Sequence, residues 1–444
     1  MAEIFPFRAY RYNAARVDPA KVLTQPYDKI TPAMAEKYAA ASPYNLIPVE
    51  KGKSLPADTP ENNVYTRAAK SLEEWIRAGV IVQDAAPSFY AYFQEYTVPG
   101  TNDRGVRKGF IALGRVEDYS AGVVFRHEQT LSGPKADRLE LLRHTKTHTG
   151  QLFMLYSDPT GEVDALLDAA AQAAPQVEVL DEYDVVHRLW PVTDLRTIEA
   201  IQGGLEDKKL VIADGHHRYE TALAYRDECR ARAGRIDLDA PYEKVMMSLF
   251  NTNAKGLTIL PTHRVVTGVP GFSFDQFRAA LAGTFEVRSY PFESVAGRSQ
   301  AYEKFRRDLQ AASKGERGIG AYAGSGAFHI FALKPGADLE TLLPGVSPAE
   351  RQLDVVLLHR LILERGLGIT PEAVKTEKNI TYEREMDAAI AAVDQGRAQI
   401  CFLLNPVSVE TVAEMAMAGE VMPQKSTDFF PKLMSGITMY RLKD

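Results

Sequence analysis

Two cysteines in 444 residues, Cys229 and Cys401, exclude a disulfide scaffold, and neither has the spacing of a metal knuckle or a redox pair. One falls in a predicted helix and the other in a predicted strand, which suits buried thiols in a reducing compartment. No apolar run approaches the roughly 20 residues that cross a membrane. The opening Met-Ala-Glu-Ile-Phe-Pro-Phe-Arg lacks the charged-then-apolar layout of a signal peptide. A cytoplasmic protein with no membrane partner is therefore expected. There is no long basic block, and the formal net charge is −6, which argues against broad nucleic-acid binding as the main task. His-Glu-x-x-His, Gly-x-Ser-x-Gly and Gly-x-Gly-x-x-Gly are also missing, so zincin, hydrolase-elbow and dinucleotide readings fall away. Neither an internal repeat nor a low-complexity tract occurs.

What is present is an ordinary globular composition, 45% hydrophobic and 25% charged, long enough for two or three domains. Proline and tyrosine are frequent in the first 50 residues, where Gln25-Pro26-Tyr27-Asp28 and Ser42-Pro43-Tyr44-Asn45 flank a short helical pattern. A helix follows, with Thr59 as cap, Val64, Ala68, Leu72, Trp75 and Ile76 on one face and Gly79 as stop. Phe89 to Thr97 and Lys108 to Val116 read as a hairpin. Strands near Gln151 to Tyr156 and Lys208 to Ala213 alternate with helices to about Val266. The expected organisation is a mixed α/β domain over 1–266, a linker at 268–271, and an α+β domain over 272–444 that includes a helix from Leu353 to Leu367. Irregular alternation favours an α+β class over a doubly wound sheet.

The densest chemistry lies at Val211-Ile-Ala-Asp-Gly-His-His-Arg-Tyr-Glu220. Leu210 to Ile212 reads as a buried strand, and Tyr219, Ala222, Leu223, Tyr225, Cys229 and Ala233 recur at helical spacing until Gly234. Asp214, Gly215, His216, His217 and Arg218 thus form a strand-to-helix turn. Backbone N–H groups at a helix start lack internal partners and carry partial positive charge, so an anion there would meet donors, dipole and Arg218 together. Gly215 allows close approach or positive φ. An ordinary Asp-Gly turn is the bland alternative, but it leaves two imidazoles and a guanidinium unexplained.

Three further clusters accompany it. Val123 to Arg143 reads as a loop carrying His127, Glu128, Thr130, Lys135, Asp137, Arg138 and Arg143. There His127 and Glu128 can supply a base and its orienter or a carboxylate for a cation, and Lys135 and Arg138 can clamp phosphate oxygens. A charged surface loop is the plain alternative. Met422 to Lys432 ends the chain with two lysines, two hydroxyls and a carboxylate between apolar anchors. Lys425, Ser426 and Thr427 have the residue types of a phosphate loop without the glycine lead of a Walker motif; a structural strap is the competing reading. Pro261-Thr262-His263-Arg264 stands at a strand end, where site residues emerge. His359 sits on a helix face as a core or boundary residue.

Gln25 to Asp28, His127-Glu128, Pro134-Lys135, Asp137-Arg138, Ala213 to Thr221, Pro261 to Arg264 and Met422 to Lys432 together resemble the bacterial family catalogued as domain of unknown function 1015, over nearly the whole chain. The Asp214 to Arg218 turn is also similar to the phosphate-binding turn of the ParB and sulfiredoxin superfamily, which includes free-serine kinases. That resemblance implies a ParB/sulfiredoxin-like core with an N-terminal elaboration. It also implies a carboxylate acting as base on a serine hydroxyl, for which Glu128 and Asp28 are both candidates. No counterpart of the sulfiredoxin cysteine is present.

The expected function is phosphoryl transfer on a small hydroxylated metabolite, serine or phosphoserine first, run as a kinase or as a phosphomonoester hydrolase. In this reading Gly215, His216, Arg218, Lys135, Arg138, Lys425, Ser426 and Thr427 hold phosphate or nucleotide. Glu128, Asp214, His217 and His127 are the catalytic candidates, with His217 the nucleophile or general acid of the hydrolase. Tyr27, Asp28, His263 and Arg264 wall the site. Asp214 or Glu128 would place Mg²⁺, and a nucleotide or pyrophosphate would be the donor. A nucleotide-binding regulator without turnover is the second class. A zinc or iron site on His216, His217 and His263 is disfavoured, because adjacent histidines seldom both reach one ion. Glu128 and Lys425, far apart in sequence, are expected to share one pocket.

Overall fold

The computed structural model describes residues 1–128, 132–313 and 315–443; Thr130 lies outside them. The chain forms two compact units, Met1–Thr258 with Phe429–Asp444, and Ile259–Asp428. The architecture is α+β, as the irregular alternation implied. The divide falls upstream of the expected 266 because strand His263–Val266 is paired on both edges inside the second unit, with Ile380–Glu383 and Ile400–Leu403. The stretch 268–271 is held there too. Val269 donates to Gln399 Oε1 at 2.7 Å and accepts from its Nε2 at 2.8 Å.

The first unit is built on a nine-stranded mixed sheet. Its main order is Val124–Phe125, Leu210–Asp214, Leu152–Tyr156, Lys244–Asn251, Arg104–Arg115, Phe89–Thr97, Val186–Val192, Val177–Leu180, with Ile4–Phe5 also pairing on Arg104–Arg115. Strand Leu210–Asp214 is apolar and buried up to Ala213 because it is an interior strand, and Leu210, Ile212, Met154, Leu249, Phe110 and Tyr219 share one core. Its ladder with Leu152–Tyr156 shifts register between Ile212 and Asp214. Such an irregularity re-aims a side chain at a strand end.

Two helices of this unit differ from expectation. Helix Val64–Arg77 is capped by Asn63 rather than Thr59, in a reciprocal box with Thr66. The polar segment expected to be a loop forms helix Ser132–Thr145, whose Leu141 and Leu142 are buried. Leu142 packs with Tyr225 and Leu442, and this buried contact outweighs a weak helical pattern.

The second unit has a six-stranded sheet, in the order Phe285–Pro291, Ala327–Leu333, Gly318–Tyr322, Ile400–Leu403, His263–Val266, Ile380–Glu383. Cys401 is buried in it, whereas Cys229 of the first unit is only half-buried. The helix expected over Leu353 to Leu367 is α-helical for Asp354–Leu357 and π-helical for Leu358–Gly366. Among the described residues no helix is long and apolar enough to cross a membrane.

Candidate functional site

Strand Leu210–Asp214, Gly215 and helix His216–Ala233 form the strand-turn-helix that the periodicity predicts. Gly215 is the cap residue at φ 93°, in the left-handed region, and no side chain among the described residues caps the helix. A Cβ at this position would lie 3.2 Å from Leu152 Cδ2, so a larger residue needs that side chain to give way in addition to a costly backbone conformation. The first N–H groups of a helix have no intrahelical acceptor, and Gly215 brings none from its own side chain.

Asp214 ends the strand and faces this turn. Its Oδ1 accepts from the Gly215 N–H at 2.7 Å, and its Oδ2 accepts from Lys432 Nζ at 2.6 Å. Burial opposes ionisation, but Lys432, Lys29 and Arg218 outweigh it and hold the carboxyl well below the usual range. Lys432 reaches the turn because the returning C-terminal strap is fixed behind it. Arg107, 1% exposed, donates to the carbonyls of Phe430 and Pro431, and Gln94 Nε2 donates to the Lys432 carbonyl at 2.8 Å. The Arg107 guanidinium lies 4.5 Å from the Phe153 ring centroid and 4.8 Å from that of Phe250, and burial lowers its pKa to about 10. The same polar chain runs on to Gln25. Gln94 contacts His187 Nδ1 at 3.3 Å, His187 Nε2 meets Asp181 Oδ2 at 3.1 Å, and that oxygen accepts from Gln25 Nε2 at 3.0 Å.

Arg218 is the wall shared by two cavities. One is narrow, about 50 Å³, room for a few water-sized groups, and is lined by Glu50, Arg138, Thr147 to Gly150 and Thr221 among others. The other opens beside Asp214, between Pro26, Gln151, Phe153 and Leu433. Arg218 Nη1 donates to the Gln151 carbonyl at 3.3 Å, while its Nη2 has no hydrogen-bond partner among the described residues. The guanidiniums of Arg138 and Arg218 lie 4.3 and 5.4 Å from the Tyr27 ring centroid. Burial pushes the Tyr27 phenol up to about 12, against the pull of Arg218.

The histidines divide by depth. His127 is buried, its Nδ1 lies 2.7 Å from the Ile212 carbonyl, and burial lowers its pKa to about 4. His216 is buried against it, with ring centroids 4.7 Å apart, and accepts the His127 backbone N–H at 3.4 Å. Desolvation, with His127 next, holds it well below the usual range. Both are neutral side chains packed beneath the turn. His217, the next residue, is half-buried, as is Glu128.

Arg138 shares the first cavity and the Tyr27 ring with Arg218, and the remaining expected residues are placed as follows. Lys135 Nζ lies 3.5 Å from Glu220 Oε2, a carboxylate it shares with Arg126. Arg138 is tied to Asp137 at 2.6 Å and to the Glu50 carbonyl at 3.0 Å. Asp28 is exposed beside Tyr27. His263, Arg264, Lys425, Ser426 and Thr427 belong to the second unit. There Arg264 is buried, donates to the carbonyls of Thr262 and Lys425, and lies over Tyr382, while His263 Nδ1 accepts from the Leu404 N–H at 3.2 Å. Ser426 donates to the Pro423 carbonyl at 2.5 Å. Within the first unit, the strap lysine on Asp214 is Lys432, seven positions beyond the one expected. The π-helical His359 is in the second unit, with its pKa lowered to about 3 by burial and then by Arg264.

Among the described residues no group of three or more His, Cys, Asp or Glu is arranged to hold a metal. Both oxygens of Asp214 are engaged, so the turn is not a preformed Mg²⁺ cage. His216 has its Nε2 committed to the backbone, against the zinc or iron arrangement. Sequence reasoning missed Glu50, which carries no motif, and undervalued Lys432, which stood in a segment already marked by its two lysines.

Solved structures similar to the chain are distant. A conserved hypothetical protein from Pyrococcus furiosus is 14% identical at a TM-score of 0.34, covering 73% of this chain and 93% of its own. A free serine kinase in complex with AMP is 13% identical at 0.37, covering 73% and 91%. SbnI with a C-terminal truncation, from Staphylococcus aureus, is 11% identical at 0.35, covering 75% and 89%. No curated protein matches the sequence. The model of the family described as protein of unknown function (DUF1015) matches residues 4–356, and the chain belongs to that family.

Proposed function

We propose that the first unit holds a phosphate group at the Gly215–Arg218 turn and transfers a phosphoryl group to a small hydroxylated metabolite. The observation that carries this reading is the helix start itself. Among the described residues it has no side-chain cap, and beside it stand an arginine whose Nη2 has no hydrogen-bond partner there and a lysine fixed on Asp214. Donors, dipole and cations converge where charge spreads over phosphoryl oxygens. Free serine is the first acceptor to test, because the turn resembles that of the free-serine kinases.

In the transfer step the acceptor hydroxyl loses its proton to a carboxylate, with Glu128 as first candidate. The oxygen forms a bond to the donor phosphorus as the bridging P–O bond to the leaving phosphate breaks. Arg218 and Lys432 offset the charge on the oxygens. Mg²⁺ would travel with the donor phosphates of a nucleotide or pyrophosphate. Neutral His127 and His216 support the turn rather than react.

The test follows phosphorus by NMR in mixtures of the full chain and Mg²⁺ with serine plus ATP, ADP or pyrophosphate, and with phosphoserine alone. A phosphoserine signal that depends on Glu128 and Asp214 is expected. Release of inorganic phosphate from phosphoserine alone would make the protein a phosphatase, with His217 the first nucleophile to replace. Binding without any transfer would leave a regulator. Neither binding nor transfer would end the reading.

A further inference from the structure

Behind Arg218 lies a carboxylate that the proposed transfer does not use. Glu50, 1% exposed, ends the four-residue helix Ile47–Glu50. That short turn is pinned by Asn45, whose Oδ1 accepts from the Ile47 N–H at 2.8 Å and whose Nδ2 donates to the Lys21 carbonyl at 2.8 Å. The Thr149 hydroxyl donates to Glu50 Oε1. Oε2 lies 3.9 Å from Arg138 Nη1 and 4.0 Å from Arg218 Nη2, beyond hydrogen-bond reach of both and within strong Coulomb range of each.

These distances have a physical consequence. Two guanidiniums rest against one tyrosine ring, and both repel each other unless a negative charge stands between them. Asp137 answers Arg138, whereas among the described residues Glu50 is the carboxylate within 4.0 Å of Arg218. A buried carboxylate is itself costly to desolvate, so it persists where neighbouring cations offset it.

We propose that Glu50 is a positioning residue of the phosphate site, the shared counter-charge that aims Arg218 and restrains its attraction for anions. The consequence for transfer rests on the function proposed above; the hold on the two arginines does not. Removing the charge while keeping the shape should therefore separate affinity from rate. An unrestrained Arg218 binds phosphate more tightly but no longer points at the transferring group.

The experiment compares the full chain with Glu50→Gln, which keeps the acceptor for Thr149. Phenylglyoxal modification of Arg138 and Arg218, mapped by peptide mass, is expected to rise about threefold or more, with half-exposed Arg188 as the unchanged control. Inorganic phosphate should bind about threefold more tightly while transfer falls about tenfold. Unchanged arginine reactivity overturns the inference whatever the ligand does. Affinity and rate falling together also overturn it, since that is the mark of a merely structural residue. Raised reactivity with no phosphate bound by either protein upholds Glu50's hold on the arginines and sinks the phosphate reading instead. If Glu50→Gln does not fold, Thr149→Val keeps the charge and frees Oε1 to turn toward the guanidiniums, so arginine reactivity should fall; a rise or no change overturns the inference.

Discussion

Replacing Lys432 by methionine removes one ammonium while nearly preserving side-chain volume. The Lys432 side chain is 7% exposed and donates to Asp214 Oδ2 at 2.6 Å. A hydrogen bond between charged partners contributes about 1.5–3 kcal/mol net. Asp214 is 37% exposed, so solvent screens its end of the pair and the expected loss at neutral pH is about 1–2 kcal/mol. The carboxyl ionises below its unfolded value in the folded chain. Its contribution is therefore complete above about pH 4 and declines as pH falls further. Urea titrations of both proteins at pH 7 and near pH 3 should give a difference that is present at the first and smaller at the second. Equal stabilities at pH 7, or a difference that does not shrink in acid, would refute the claim that this ion pair holds the strap to the turn. Transfer activity should fall with the ammonium, because Lys432 is one of the two cations assigned to the phosphoryl oxygens.

Other outcomes follow from the same geometry. Arg107→Leu should cost about 3–5 kcal/mol in a denaturant titration, because the Phe430 and Pro431 carbonyls and Gln94 Oε1 lose their buried donor. Gly215→Ala should destabilise by about 1–2 kcal/mol and weaken phosphate binding, since φ 93° is costly for any residue with a Cβ; an unaltered protein would show that the turn relaxes freely. His127 should remain neutral in NMR titration down to about pH 4. Because its unfolded form takes up a proton near pH 6.5, stability should fall between those two values by up to about 3 kcal/mol. Imidazole charging near pH 6.5 in the folded chain would contradict its buried placement.

The turn was legible because it depends on local pattern. An apolar run, a glycine and a 3.6-residue repeat specify strand, turn and helix in Leu210 to Ala233 without long-range knowledge. Helix Ser132–Thr145 was not, since its polar surface gives little periodicity and its stability comes from Leu142 packing on Tyr225 and Leu442. Glu50 and Arg107 were invisible for a related reason. A lone charge in a short helix or a hairpin strand reads as surface, and only the fold reveals that Arg107 rests against both Phe153 and Phe250. The lysine of the strap was misjudged for a third reason. Composition marks a segment, but which of its two lysines meets Asp214 depends on where Arg107 and Gln94 fix the backbone.

The most direct measurement is a titration of the full chain with inorganic phosphate and with phosphoserine, followed by phosphorus NMR and calorimetry, beside Arg218→Gln. The native protein should bind saturably and more weakly at higher salt, and Arg218→Gln should lose about tenfold or more in affinity. Affinity unchanged by Arg218→Gln, or no binding by the native chain, would contradict a phosphate site at the helix start.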